Sequence, residues 1–141
     1  MFRRLKWGNE MKFYIASSLK NIENVRQVAE NLKARGFQQT YDWTTHSNID
    51  SITKLRNIGQ EEVSGVLTAD VVIVMVPAGK GSHVELGIAL GAGKKIYLYS
   101  STNELNDIGN TCTFYHVDSV EQRIGSLDDL INSVFLEYQY H

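Results

Sequence analysis

Residues 70–76 (DVVIVMV) constrain the fold more than any other part of this 141-residue chain. Six consecutive apolar residues without alternation describe a strand covered on both faces, as at the centre of a parallel sheet. Such a sheet needs helical crossovers, and the flanking sequence supplies them. Lys12–Ser17 (KFYIAS) reads as a first strand, followed by a helix carrying Ile22, Val25, Val28, Ala29 and Leu32 on one face and stopped by Gly36. Residues 37–43 read as a second strand, and the apolar spacing over 49–67 as a helical segment with Gly59 as a candidate break. After the central strand come a turn-rich loop, PAGKGS, and an apolar helix, HVELGIALGAG. Residues 94–100 then form a fourth strand and 112–117 a fifth, before a last helix capped by Ser126.

Regular alternation of strand and helix predicts an α/β fold: a single-domain, flavodoxin-like, doubly wound sheet of five parallel strands, ordered 2-1-3-4-5, with helices on both faces. The domain is expected over 11–141. Met11 opens a far better strand than Met1, so 1–10 reads as a tail or an early start. Fourteen basic against sixteen acidic residues leave a net charge of −2, no electrostatic footprint for duplex nucleic acid. No stretch approaches the roughly 18 apolar residues of a membrane span, and the charged first ten residues lack the apolar run of a signal peptide. A single cysteine, Cys112, excludes an internal disulfide framework and fits a small buried hydrophobe. A cytoplasmic protein is expected.

Ligands of doubly wound sheets bind beyond the carboxyl ends of the strands, near the switch in strand order. There this chain carries Ser17 and Ser18, the segment 41–44 and the loop 77–85. The loop fits neither a Walker A motif nor a dinucleotide fingerprint, which would need a glycine where Val84 stands. Gly79, Gly81 and Ser82 at a helix start, with Lys80 beside them, leave a generic anion site open; a solvated turn is the plain alternative. Ser82-His83-Val84-Glu85 matches a capping box, in which Glu85 would bond back to the Ser82 N–H. The same glutamate stands at the mouth of the crevice, where a carboxylate can face a ligand. His83 fits a helix-start residue, while His46, His116 and His141 show no metal spacing. No metal or other cofactor is expected.

FYIAS in the first strand, the aspartate opening the third, and G-x-G-S-H-x-E-L-G followed by A-L-x-x-G-K-K together resemble the nucleoside 2-deoxyribosyltransferase family, over about 11–100. The resemblance implies a flavodoxin-like homo-oligomer with sites shared between subunits. Such an enzyme cleaves the N-glycosidic bond of a deoxynucleoside or deoxynucleotide and passes the sugar to another nucleobase or to water. It makes Glu85 the nucleophile, Tyr14 the phenol that orients it, and Asp70 a contact to the base or its proton donor. It also suggests Asn110, from a neighbouring subunit, at the sugar. The residue types suit the chemistry: a carboxylate can stabilise and then capture the positive charge that develops on the sugar. Each assignment keeps a structural rival, and with Glu85 as a cap alone the domain would be a non-catalytic nucleotide-binding module. Tyr14 can be a plain strand residue, and Asp70 can end a helix or pair with a lysine. Asp42 and Trp43 can clamp a base, or Trp43 can sit in the core. Gly79 stands where relatives carry Asp or Ser, which leaves nucleoside against 5′-monophosphate, and base against water as acceptor, undecided.

Overall fold

A computed structural model describes residues 11–138; the segment 1–10 and His141 lie outside the described residues. Five strands form one parallel sheet, β1 (Lys12–Ser17), β2 (Gln38–Gln39), β3 (Val71–Met75), β4 (Lys95–Ser100) and β5 (Val120–Ile124), in the order β2-β1-β3-β4-β5. This is the order expected, with the switch between β1 and β3. Four helices, α1 (Ile22–Ala34), α2 (Ile52–Thr68), α3 (Lys80–Gly91) and α4 (Leu127–Glu137), complete the α/β domain. α1 packs with α4 and α2 with α3, so each face of the sheet has its own helix pair.

Every β3 residue is buried, as an unbroken apolar run requires when helices cover both faces. β1 beside it is nearly as dry: Phe13, Tyr14, Ile15 and Ala16 are all fully buried. α1 ends where Gly36 adopts a φ of +94°, a left-handed turn that glycine enters without steric cost. Ser126 caps α4, its side chain accepting from the Asp129 N–H.

Three expectations need correction. β2 is two residues long rather than seven, because Thr40 turns its hydroxyl to the Gly65 carbonyl (2.8 Å) and Asp42 starts a short 3-10 turn, Trp43–Thr45. The fifth strand is Val120–Ile124, not 112–117, whose Thr113–Tyr115 forms another 3-10 turn. A strand at the sheet edge can carry polar residues, and β5 does: Glu121 pairs with Lys95 (3.2 Å), and the Arg123 guanidinium lies over the Tyr97 ring. Its hydropathy is therefore weaker than that of the turn before it. α2, finally, runs through Gly59 without a break.

Among the described residues, no helix is long and apolar enough to cross a membrane.

Candidate active site

The crevice at the β1/β3 switch opens into a cavity of about 540 Å³ beyond the carboxyl ends of the strands. Ser17 and Ser18 at the end of β1, Trp43, Thr44 and His46 after β2, and Gly79, Gly81, Ser82 and Glu85 at the start of α3 line it. Ile22, Ile49 and Ile58 make apolar walls, and Glu62 enters from α2.

Glu85 is only 8 % exposed, and its Oε2 accepts a hydrogen bond from the Tyr14 hydroxyl at 2.5 Å. Tyr14 is fully buried, one strand face presenting its ring towards α2 and α3. Burial first, then the Glu85 charge and hydrogen bond, raise the Tyr14 pKa well above its ordinary value. The phenol therefore stays protonated and always donates. This geometry replaces the capping-box reading of Glu85. α3 begins at Lys80, with Gly79 as its N-cap, and Ser82 Oγ closes the turn by accepting from the Gly79 N–H (3.0 Å). Glu85 stands a turn deeper and points to β1.

Glu62 is the neighbour that sequence reading missed. Its carboxyl interacts with Glu85 through charge and hydrogen bonding, and burial raises both groups. Glu85 is pushed up to about 7: burial dominates, the Tyr14 hydrogen bond opposes it, and Glu62 adds to it. Two carboxyls in one poorly solvated pocket cannot both ionise cheaply, and the bond between them raises Glu85 and lowers Glu62, which places the proton on Glu85. The available signal was periodicity, since Ile58, Glu62 and Val66 fall four apart and put a carboxylate in an apolar row. His46 was missed for the same site. It lines the cavity, its Nε2 lies 2.6 Å from the Tyr41 hydroxyl, and its charge opposes the rise of Glu62.

The remaining candidates divide. Ser17 lines the cavity with its hydroxyl donating to the Met75 carbonyl (2.8 Å). Trp43 forms a wall rather than a clamp: it is 7 % exposed, and its indole N–H donates to the Ile15 carbonyl (2.7 Å). Asp42 does not reach the cavity, because its carboxylate accepts from the Thr44 N–H (2.9 Å) and caps the 3-10 turn. Lys80 is exposed and outside the lining, although its neighbours Gly79 and Gly81 are in it. Asp70 is at the wrong end of the sheet. It precedes β3, where its Oδ2 accepts from the Lys12 N–H (2.8 Å) a full strand length from the cavity. Asn110 bonds Asp107 (2.6 Å) beside a separate hollow and does not meet Glu85 of its own chain. His83 braces the loop, its Nδ1 donating to the Gly79 carbonyl (2.7 Å) and its Nε2 accepting from the Tyr115 hydroxyl (2.7 Å). Cys112 is half-buried, with a free thiol. Among the described residues no cluster of His, Cys, Asp or Glu could hold a metal ion.

The family model described as Nucleoside 2-deoxyribosyltransferase matches residues 13–124. Against curated proteins, no sequence matches. Among solved structures, the CMP N-glycosidase BcmB of Clostridium botulinum is 20 % identical, with a TM-score of 0.61 over 89 % of this chain and 98 % of that one. A 2-deoxyribosyltransferase of Bacillus psychrosaccharolyticus is 19 % identical, with a TM-score of 0.64 over 92 % and 99 %. A de novo designed Rossmann 2x3 protein is 18 % identical, with a TM-score of 0.50 over 93 % and 94 %. At these identities the likeness is one of fold.

Proposed function

The chain belongs to the nucleoside 2-deoxyribosyltransferase family, and we propose that it cleaves the N-glycosidic bond of a 2′-deoxynucleoside and transfers the sugar to another nucleobase. The observation that carries this reading is the buried Glu85 carboxyl, held at 2.5 Å by a phenol that stays protonated, at the edge of a cavity large enough for a nucleoside. Neither a cap nor a surface ion pair needs such a carboxylate.

In this mechanism the proton that Glu85 holds at rest first passes to Glu62, so that Glu85 reacts as the anion and Glu62 as the acid. A Glu85 oxygen bonds to C1′ as the C1′–N bond breaks; the electron pair leaves with the base, which takes a proton from Glu62. The sugar is then esterified to Glu85. An acceptor base gives its N–H proton to the Glu62 carboxylate and attacks C1′, restoring the free Glu85 carboxylate. Tyr14 donates to the Glu85 oxygen throughout, fixing its rotamer and favouring its charge. Asp70, on its position, takes no part.

A second reading sends the sugar of a nucleoside 5′-monophosphate to water. Lys20 favours it, as a cation on the cavity wall beside Ser17 and Ser18. Gly79, Gly81 and Ser82, at the N-terminus of α3, line the same cavity. The homo-oligomer belongs to this proposal too: Asn110 can serve the sugar only from a neighbouring copy.

Chromatography after incubation with deoxynucleosides and their 5′-monophosphates, each with and without a second base, tests both readings. The transferase reading expects a new nucleoside only when the second base is present. Free sugar or sugar phosphate without any acceptor base would transfer the assignment to the hydrolase. No base release from any substrate would end both. Light scattering on the same preparation reads the copy number, and an active monomer would remove Asn110 from the site.

A further inference from the structure

α2 meets the Tyr14 ring of β1 at a residue with no side chain, Gly65. A Cβ added to Gly65 would lie 3.0 Å from Cδ2 and Cε2 of Tyr14 and 3.0 Å from Cβ of Tyr41, closer than ordinary van der Waals contact. Neither neighbour can give way freely. The Tyr14 ring is fully buried and tied to Glu85 through its hydroxyl, while the Tyr41 Cβ is anchored directly to the backbone. Thr40 holds the helix at the same point, its hydroxyl donating to the Gly65 carbonyl at 2.8 Å. Three residues earlier on the same helix stands Glu62, adjacent to Gly65 on the helix surface and interacting with Glu85. The contrast with Gly59 is direct, since nothing lies within 4 Å of a Cβ built there.

We propose that Gly65 is a positioning residue: its missing side chain is the notch that seats the Tyr14 ring and lets α2 bring Glu62 up to the Tyr14–Glu85 pair. The proposal rests on the reading of Glu85 and Glu62 as nucleophile and acid. A methyl group at Gly65 tilts the Tyr14 ring or lifts α2. Either movement loosens the contact among the three oxygen-bearing groups while leaving in place the walls that β1, the segment after β2 and α3 supply. The rate of the chemical step therefore suffers more than substrate binding.

Gly65→Ala, Gly59→Ala and Thr40→Val, each in the full chain, test this by two independent readouts. The first needs no substrate. The Tyr14 hydroxyl proton, assigned by its loss in Tyr14→Phe, is expected downfield in the proton NMR spectrum of the parent. It should shift upfield or vanish in Gly65→Ala, move less in Thr40→Val and stay put in Gly59→Ala. The second readout is base release, where Gly65→Ala should lose about tenfold or more in kcat with KM within about twofold, as small misplacements of reacting groups do. Gly59→Ala should match the parent. A folded Gly65→Ala with an unmoved hydroxyl proton and parental kcat would overturn the proposal. If Gly65→Ala does not fold, Thr40→Val decides, and an unmoved proton there would overturn it equally. A parent that releases no base would instead refute the functional reading, and the hydroxyl proton would still judge the notch.

Discussion

Glu85 shows how one residue links burial, charge and reaction. Burial pushes its pKa from the ordinary 4.5 to about 7, so the folded chain holds this proton more tightly than the unfolded chain does. That contribution to stability is complete below pH 4.5 and is lost as the pH rises through about 7. Glu85→Gln removes the titration and keeps an acceptor for Tyr14. Its melting temperature relative to the parent should therefore climb between pH 4.5 and 7, corresponding to up to about 3 kcal/mol. A difference that stays flat across that range would mean Glu85 ionises freely in the fold. The same sign governs catalysis: attack needs the anion, so activity should rise with pH where stability declines. Glu85 and Tyr14 were singled out through the family resemblance alone: the spacing of Ser82 and Glu85 favoured a cap, and only burial and the hydrogen bond from Tyr14 set Glu85 apart from one. Asp70 was misplaced through polarity. A residue just before a parallel strand lies at its amino end, whereas ligands gather at the carboxyl end.

At the scale of elements, α2 does more for the site than its sequence suggests. Its apolar spacing announced a helix, and the structure adds that it delivers Glu62 beside a carboxyl on α3. No local pattern pairs Glu62 with Glu85, twenty-three residues away, because only the packing of α2 on α3 does so. Glu62→Gln should remove the acid and relieve the repulsion on Glu85 together. Base release is expected to fall by about 10²–10⁴-fold, with the acid limb of its pH profile moved to lower pH. An unchanged profile would make Glu62 a bystander. β5 was illegible for a different reason. An edge strand can satisfy its polar residues with ion pairs, as Glu121 does with Lys95, so its hydropathy falls below that of the neighbouring turn.

For the whole molecule, strand order fixes where chemistry can occur. The switch between β1 and β3 opens the crevice, and α2 and α3, packed together and joined in the chain by β3, bring their two carboxyls side by side at its edge. The 2-1-3-4-5 order was legible because an all-apolar strand tolerates only a central position, and right-handed crossovers then leave few arrangements. The central claim is that Glu85 bonds covalently to the sugar. It is tested most directly by treating the protein with a 2-fluoro-2-deoxynucleoside, whose fluorine slows breakdown of the sugar ester, and weighing the intact chain. The account predicts a gain of one fluorodeoxyribosyl mass, mapped by peptide sequencing to Glu85 and absent from Glu85→Gln. An adduct on any other residue, or a fully active Glu85→Gln enzyme, would contradict it.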